Sequence, residues 1–583
     1  MRHRLAMWSA ATCAAIVQFA AVCLGIIGFA SLRHEVYAQQ PSASPAWKPS
    51  EGAISAAGMI RDSVFRSHIR FLADDLLEGR GPGTRGDALA QLYIRTQLEA
   101  LGLSPGAGGE SWTQDVPLVG VSTSPPTSVE FRGEGKKVVL NHHDDMMLVS
   151  GKPVSETITV SGDLVFVGYG IQAPEYDWDD FKGMDMTGKI LVIMNNDPED
   201  RPDLFGGRKR LYYGRWDYKY AKAAEIGAAG ALIIHTTPSA GYPFQVVQTS
   251  WAGEEFGLAS DEGARTDFNG WLTEDATKRV LSLTENDLEQ LRQAAQSRDF
   301  RPVELGVNTT VSLTSLARPK QTRNVIGVLP GSDPVLKDEY VVFTAHHDHI
   351  GLAAERDETG DHIYNGAIDN ASGTAALLTI AEAFTHLEQR PKRSILFAFV
   401  GAEEQGLLGS KHLAQNPPIP AGYMSAVLNI DGINFLGRTH DLSIVGSGKS
   451  DLDSLVNSVA GWQSRTVVPD PNPEQGYYYR SDQFSLAQIG VPGVYLDSGM
   501  NFVGRPDGWG KQIFDDWIEK TYHQPSDEYD DSWNLEGAIE DAQLLMHVAI
   551  EVANQEEMAS WTPGDEFELA RKRALVERAA AAR

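Results

Sequence analysis

The stretch TAHHDHIG, residues 344–351, contains three histidines and an aspartate at consecutive positions: His346, His347, Asp348 and His349. It follows the apolar run YVVF, which is typical of a buried strand. Imidazole nitrogens and carboxylate oxygens are common metal ligands in proteins. Because side chains alternate along an extended chain, we expect His346 and Asp348 to share one side. That pair combines a metal ligand with a carboxylate that can orient it, whereas His347 and His349 would face the other way.

Further acidic and histidine residues occur just after other apolar runs or in adjoining loops. They lie in NGAIDNASG (365–373), FVGAEEQGLLGS (399–410), VLNIDG (427–432) and YHQPSDEYD (522–530). Since the carboxyl ends of parallel strands meet at one edge of a sheet, we expect these side chains to lie close together. Oxygen ligands combined with imidazole, without sulfur, suit zinc in a catalytic site. The carboxylates are numerous enough for two metals, one carboxylate forming a bridge.

The secondary-structure elements that must position these residues can be predicted from the order and composition of the sequence segments. After Pro319, strand-like and helix-like segments alternate, which predicts an α/β fold with a mixed, mostly parallel sheet and helices on both faces. Between about 125 and 310, short β-rich runs are separated by Gly, Asp and Pro, which predicts a smaller, β-rich α+β domain. We therefore expect a discontinuous main domain, an inserted domain and a helical tail, with the boundaries 55–135 and 310–555, 136–309, and 556–583.

The N-terminus has the pattern of an export signal. Arg2 and Arg4 precede a long uncharged segment, and VYA, ending at Ala38, resembles the small-residue motif at which a signal peptide is cleaved. We interpret residues 1–38 as a signal peptide and the Pro/Ser-rich residues 39–54 as a linker, so we expect a periplasmic or secreted protein. Because the apolar run is long for a signal peptide, an uncleaved membrane anchor remains the alternative.

Charge and cysteine content restrict the partners and the metal chemistry. The formal net charge of the 583 residues is −28, which argues against nucleic acids and anionic membrane surfaces as partners, because basic patches hold both. Both cysteines, Cys13 and Cys23, lie within the predicted signal. The exported chain would contain no cysteine, so a metal would have to be held by His, Asp and Glu.

The motifs, taken in order, resemble those of a known family. AHHDHIG, YNGAIDNASGTAALL, AEEQGLLGSKHL, NIDG, RSDQFSLAQIGVP and YHQPSDE are similar to the motifs of the co-catalytic di-zinc aminopeptidases, which are relatives of glutamate carboxypeptidases, transferrin receptor and glutaminyl cyclases. HIRFLADDLLEGRGPGTRG resembles the N-terminal segment of that family, and the region 155–305 resembles a protease-associated (PA) domain. The resemblance extends over nearly the whole exported chain and implies a zinc-peptidase fold with an inserted PA domain.

By motif position, the resemblance implies two Zn²⁺ ions and a general base. The implied zinc ligands are His346, Asp369 as the bridging residue, Glu404, Asp431 and His523. Glu403 would be the base that polarises the metal-bridging water and passes its proton to the leaving amine. Because Glu403 and Glu404 are neighbours, they cannot both point at the same metal, so one is free to take a proton.

Three further residues receive roles from the resemblance. Asp348 would accept the second N–H of His346 and so fix its tautomer. Tyr522 stands where the family places a hydrogen-bond donor to the oxyanion, with plain packing as the alternative. Arg480 would lie near the substrate end of the site. The family commonly has His and an aromatic residue where this chain has Gln483 and Leu486, so the specificity pocket is expected to differ.

These implications predict an exported zinc aminopeptidase that acts on peptides. One alternative is a carboxypeptidase of the glutamate carboxypeptidase type, which requires a basic pocket, and few basic residues besides Arg480 and Arg505 lie near the motifs. A second alternative is a single-zinc glutaminyl cyclase. A non-catalytic, receptor-like module is disfavoured because every implied ligand and the base are present.

Overall fold

The computed structural model describes residues 47–198, 204–353, 356 and 359–581. The predicted signal and the first part of the predicted linker lie outside these residues. Trp47–Arg583 forms one compact unit. Within the described ranges, no helix combines the length and the apolar character needed to cross a bilayer.

The helices and strands are as follows. The α-helices are α1 (Glu51–Ala57), α2 (Asp62–Leu72), α3 (Arg85–Ala100), α4 (Trp216–Glu225), α5 (Thr237–Ala240), α6 (Phe244–Ser250), α7 (Glu274–Leu281), α8 (Leu288–Ala295), α9 (Gly373–Thr385), α10 (Leu408–Gln415), α11 (Leu452–Trp462), α12 (Gln483–Gln488), α13 (Trp509–Lys520), α14 (Glu536–Asn554) and α15 (Glu568–Ala581). The first strands are β1 (Ser104–Pro105), β2 (Thr113–Ser124), β3 (Ser128–Gly133), β4 (Lys136–Asn141), β5 (Met146–Ser150), β6 (Thr157–Phe166), β7 (Gln172–Ala173), β8 (Trp178–Asp179), β9 (Ile190–Met194) and β10 (Gly230–His235). The remaining strands are β11 (Glu254–Leu258), β12 (Phe268–Thr273), β13 (Val303–Leu329), β14 (Tyr340–His346), β15 (Gly351–Leu352), β16 (Ile363–Tyr364), β17 (Ser394–Val400), β18 (Met424–Asn429), β19 (Asp441–Ile444), β20 (Thr466–Val468) and β21 (Gly493–Ser498).

The centre of the main lobe is a parallel sheet that is buried on both faces. β17, β14, β18 and β21 are neighbours in that order and run parallel, while β13 adds an antiparallel strand beside β17. Along β14, Val341 and Phe343 belong to the core that also includes helices α9 and α14, whereas Val342 belongs to the core that includes α10 and α12. The predicted α/β class, with a mixed and mostly parallel sheet between helices, is confirmed.

A second lobe has hydrophobic cores of its own, drawn from residues between Val129 and Leu313. Its centre is the parallel set β6, β9, β10 and β12, which β5 extends in the antiparallel direction. We call residues 128–314 the inserted lobe, and the predicted insertion 136–309 lies within it. Its assignment as a PA domain stays a prediction.

The long strand β13 belongs to both lobes. Its first half pairs with β6 of the inserted lobe, and its second half pairs with β2 and β17. A continuous strand shared by two cores fixes their relative position, because its ladder hydrogen bonds are satisfied on both sides of the junction. The inserted lobe is thereby held against the main lobe.

Candidate active site

Three parallel neighbouring strands end beside the candidate residues. β14 ends at His346 itself, β17 ends three residues before Glu403, and β18 ends two residues before Asp431. Asp369 lies in the turn that leads into α9, and His523 lies in the connection between α13 and α14. Ligands at the carboxyl ends of adjacent parallel strands are the usual arrangement in open α/β sheets.

The five residues implied as zinc ligands lie together in the structure. Nε2 of His346 lies 3.2 Å from Oδ1 of Asp431 and 3.2 Å from Oδ1 of Asp369. The second oxygen of Asp369 lies 3.2 Å from Nε2 of His523, which in turn is 3.0 Å from Oε2 of Glu404. Asp369 therefore presents one oxygen to each histidine, which is the arrangement required of a bridging carboxylate.

The consecutive histidines have three different surroundings. His346 lies in the cluster, whereas Nε2 of His347 lies 3.2 Å from Oδ1 of Asp87 on α3. Nδ1 of His349 contacts Oε1 of Glu404 at 2.5 Å. The alternation that we expected beyond His346 does not apply to His349, because β14 ends at His346 and the following residues lie outside any strand. The contact of His349 with Glu404 is one that the sequence did not indicate.

Asp348 is fully buried, and its contacts differ from those expected. Its Oδ1 lies 3.8 Å from Nδ1 of His346, beyond hydrogen-bond distance, while its main-chain oxygen lies 3.3 Å from the same nitrogen. Its carboxylate instead accepts the backbone N–H of Glu403 at 3.1 Å and that of Glu404 at 3.4 Å. Asp348 therefore holds the backbone of the two glutamates.

Comparison with known proteins identifies the central part of the chain. The model of peptidase family M28 matches residues 324–547. Residues 324–547 are thus similar to peptidase family M28. This range includes all five clustered residues and Glu403, and we refer to it as the M28 domain.

Similar proteins occur both among curated sequences and among solved structures. A probable zinc metalloprotease of Pyrenophora teres f. teres is 37% identical over 114 residues, which is 19% of this chain and 23% of that protein's length. Aminopeptidase YwaD of Bacillus subtilis is 23% identical over 82% of this chain and 83% of its own. Among solved structures, the aminopeptidase from Aneurinibacillus sp. strain AM-1 has a TM-score of 0.50 at 18% identity, covering 88% of this chain and 98% of that one. The similarity to this solved structure supports a shared fold alone.

Two buried residues support the M28 domain from outside the cluster. Asp527 accepts the backbone N–H of Ile368 at 3.0 Å and that of Asp369 at 3.1 Å, which fixes the turn that carries the bridging carboxylate. Arg80, fully buried, donates to the main-chain oxygens of His347 at 2.8 Å and Gly366 at 2.9 Å. Both lie in segments that the resemblance included, YHQPSDE and HIRFLADDLLEGRGPGTRG, but their contacts follow from the fold.

The charges of the cluster suit bound cations. Buried carboxylates are costly unless they are paired or coordinate a metal. The structure gathers several buried or half-buried carboxylates: Asp348, Asp369, Glu403, Glu404, Asp431 and Asp482. Two groups of possible ligand atoms lie close enough to bind a metal ion, since the atoms within each group are no more than 4.8 Å apart. One group consists of His346, Glu403 and Asp431, and the other of His346, Asp369 and Glu404. The buried Nε2 of His523 faces two carboxylates without a hydrogen bond of good geometry. The residues present therefore fit metal ions that are held by nitrogen and oxygen.

Glu403 is placed beside the ligands in a buried environment. Its Oε2 lies 3.9 Å from Nε2 of His346. Burial raises the pKa of Glu403 well above its usual range, and neighbouring carboxylates, Asp431 and Asp482 among them, act in the same direction. Among the described residues, no cationic side chain forms an ion pair with Glu403 other than His346.

A pocket between the two lobes opens onto the cluster. The M28 domain contributes Glu403, Tyr522 and Arg480 to its wall, and the inserted lobe contributes side chains that include Trp216, Ser250, Trp251, Glu255 and Trp271. Ser250 reaches the cluster directly, because its Oγ lies 3.1 Å from Nδ1 of His523. The sequence did not indicate this contact between the inserted lobe and a candidate ligand.

The other predicted pocket residues have specific partners. The Tyr522 ring lies against His523, with centroids 4.0 Å apart, and Tyr522 lines the pocket. Arg480 donates through Nη2 to the main-chain oxygen of Ala240 at 2.7 Å, and its guanidinium lies over the ring of Tyr477. Of the three consecutive tyrosines that precede Arg480, Tyr477 lines the pocket, whereas Tyr478 and Tyr479 pack in a hydrophobic core.

Proposed function

We propose that this chain is a zinc-dependent aminopeptidase that removes N-terminal residues from peptides. The observation that carries the proposal is the position of Asp369 between His346 and His523 at the floor of the pocket. The M28 match and the similarity to aminopeptidases support the same assignment. We further propose that the protein is exported, on the basis of the signal pattern in residues 1–38.

The proposed metal centre holds two Zn²⁺ ions. His346 and Asp431 would bind one ion and Glu404 and His523 the other, with Asp369 between them. Zinc in such a site lowers the pKa of water and stabilises negative charge on the substrate oxygen.

In the proposed mechanism, Glu403 is the general base. Its carboxylate takes a proton from the attacking water and passes it to the nitrogen of the leaving amine when the C–N bond breaks. Asp348 positions Glu403 and Glu404 through their backbone N–H groups. Tyr522 is the proposed hydrogen-bond donor to the oxyanion, since burial raises the pKa of its hydroxyl well above the usual value and keeps it protonated. Arg480 is proposed to line the substrate side, with its contact to Ala240 restricting its position.

The pocket favours an aminopeptidase over a carboxypeptidase for acidic C-termini. A carboxypeptidase of that type needs free cations to bind the two carboxylates of the substrate. Of the arginines that line the pocket, Arg215 is paired with Asp217 at 3.0 Å and Arg480 donates to a main-chain oxygen. Arg505 is not among the lining residues.

Activity with and without metal tests the proposal. The purified protein loaded with zinc should hydrolyse amino-acyl anilides, lose this activity in the presence of a chelator and regain it when zinc is added. Two zinc ions per chain by elemental analysis are expected, and one zinc would favour the cyclase alternative. A protein that holds zinc and hydrolyses none of a broad panel of unblocked substrates would contradict the proposed function.

A further inference from the structure

Two adjacent glutamates on β11 face opposite directions. The carboxylate of Glu254 forms two hydrogen bonds with Arg318, at 2.6 and 3.1 Å. Because side chains alternate along a strand, Glu255 points the other way, and it lines the pocket between the lobes. Within the part of the chain that the structure describes, Oε1 of Glu255 is buried and has no hydrogen-bond partner.

Among the residues that the structure describes, no cationic side chain forms an ion pair with Glu255. The two arginines of the pocket are engaged elsewhere, Arg215 with Asp217 and Arg480 with the main-chain oxygen of Ala240. Burial raises the pKa of Glu255 to about 8. A carboxylate with one buried and unpaired oxygen is costly for the folded protein, and a role in binding would explain its position.

Three tryptophans line the same pocket as Glu255. Trp251 lies between Trp216 and Trp271, with ring centroids 6.2 Å away in each case, and all three line the same pocket as Glu255. Aromatic faces attract ammonium and guanidinium groups, and the attraction is stronger in a desolvated site. A pocket that is lined by both a carboxylate and several tryptophans is therefore suited to a cation at the end of an apolar stem.

The pocket reaches from Glu255 to the candidate metal ligands. The backbone N–H of Phe256, the residue after Glu255, donates to Oε1 of Gln405 at 3.3 Å, and Gln405 directly follows Glu404. Ser250, in the helix that precedes β11, contacts His523. The side chain of a residue whose peptide bond lies at the metal centre could therefore extend along the same pocket toward Glu255.

We propose that Glu255, with Trp216, Trp251 and Trp271, forms a subsite for the cationic side chain of an N-terminal lysine or arginine. This assignment rests on the proposed aminopeptidase function and specifies its substrate class. The bound ammonium or guanidinium would pair with the Glu255 carboxylate and favour its charged form. The inserted lobe would thereby determine the specificity of a reaction that the M28 domain carries out.

Lysine and norleucine test this subsite, because their side chains have apolar stems of matching length and lysine adds a terminal ammonium. The experiment compares kcat/KM for the lysyl and norleucyl anilides in the wild type, Glu255→Gln and Glu254→Gln. The ratio of lysyl to norleucyl kcat/KM should fall about 10- to 100-fold in Glu255→Gln. It should be unchanged in Glu254→Gln, the matched control on the opposite face of the strand. An unchanged ratio in Glu255→Gln would overturn the proposal. If Glu255 instead bound the α-ammonium that both substrates share, the two kcat/KM values would fall together and the ratio would also stay unchanged.

A binding measurement separates this proposal from the proposed function. Calorimetry with lysine amide and norleucine amide on the zinc-loaded protein should show tighter binding of lysine amide, with the difference lost in Glu255→Gln and kept in Glu254→Gln. That result without any hydrolysis would support the subsite and contradict the aminopeptidase function. Hydrolysis without a Glu255-dependent preference for lysine would support the function and overturn the subsite.

Discussion

Glu403 is the residue on which the proposed chemistry depends most. It is buried beside His346 and is held in place by the bond from its backbone N–H to Asp348. Replacing it with Gln keeps its size and removes its ability to take a proton, so kcat should fall about 100- to 10,000-fold. Kinetics and elemental analysis on the same preparation check this prediction. Full zinc content with the expected loss of turnover supports the role of base, and unchanged turnover would exclude it.

The histidines of TAHHDHIG provide a matched pair of variants. His346 faces Asp369 and Asp431, whereas His347 faces Asp87. His346→Ala should therefore lose zinc, while His347→Ala should retain most of it. Zinc content after dialysis measures the difference, with thermal unfolding as the check that both variants are folded. Retention of zinc by His346→Ala and its loss from His347→Ala would show that the proposed ligand set is wrong.

For individual residues, the sequence predicted which side chains lie together better than it predicted the atoms that each one contacts. The five implied ligands do lie together, because each follows a strand or lies in a loop at the same edge of the sheet. The contacts of Asp348 and His349 were not predictable from alternation, since the strand ends at His346. Which atoms these residues meet depends on the path of the following loop and on Glu403 and Glu404, more than fifty positions away.

Helix α6 is the element through which the inserted lobe reaches the metal centre. Its last residue, Ser250, contacts Nδ1 of His523. A partner of this kind orients a ligating imidazole, and its loss typically weakens metal binding 10- to 100-fold. We predict an increase of about 10- to 100-fold in the zinc dissociation constant of Ser250→Ala, measured by competition with a chelator of known affinity.

Thr249→Ala is the control for that prediction. The hydroxyl of Thr249 bonds to the main-chain oxygens of Gln245 and Val246 in its own helix and not to the cluster. Its zinc affinity should match that of the wild type. Equal zinc affinity in both variants and the wild type would show that Ser250 does not contribute to metal binding.

Individual helices and strands could be predicted from the sequence pattern of a single segment where that segment's own hydrophobic periodicity determines its structure. The apolar run YVVF, which is typical of a buried strand, lies in β14, and the predicted helical tail 556–583 contains α15. The pairing of β13 with strands of both lobes was not predictable, because its register depends on partners more than a hundred residues distant. For the same reason, the sequence did not place Ser250 or Glu255 in the pocket.

The whole molecule contains buried histidines that make its stability sensitive to acid. Burial lowers the pKa of His68, His235 and His547 from 6.5 to about 4. In the unfolded chain these residues take up protons as the pH falls below 6.5, whereas in the folded protein they stay neutral until the pH approaches 4. Stability is therefore fully present above pH 6.5 and is lost as the pH falls toward 4.

His547 offers a direct test of this acid sensitivity. It is buried between Trp47 and Trp462. Between pH 7 and pH 5, the free energy of unfolding of His547→Gln should fall by about 2 kcal/mol less than that of the wild type. Denaturant unfolding at both pH values measures the difference, with the exposed His386→Gln as the control. Identical pH dependence in His547→Gln and the wild type would contradict the prediction.

The two lobes together form the proposed active site, in which a metal centre at the strand ends of the M28 domain would act on free N-termini in a pocket that the inserted lobe helps to line. The most direct test compares the hydrolysis of one tripeptide with that of its N-acetylated form by the zinc-loaded protein. We expect release of the first residue from the free peptide, no hydrolysis of the acetylated peptide, and loss of activity with a chelator. Equal hydrolysis of both peptides, or release of the C-terminal residue, would contradict it.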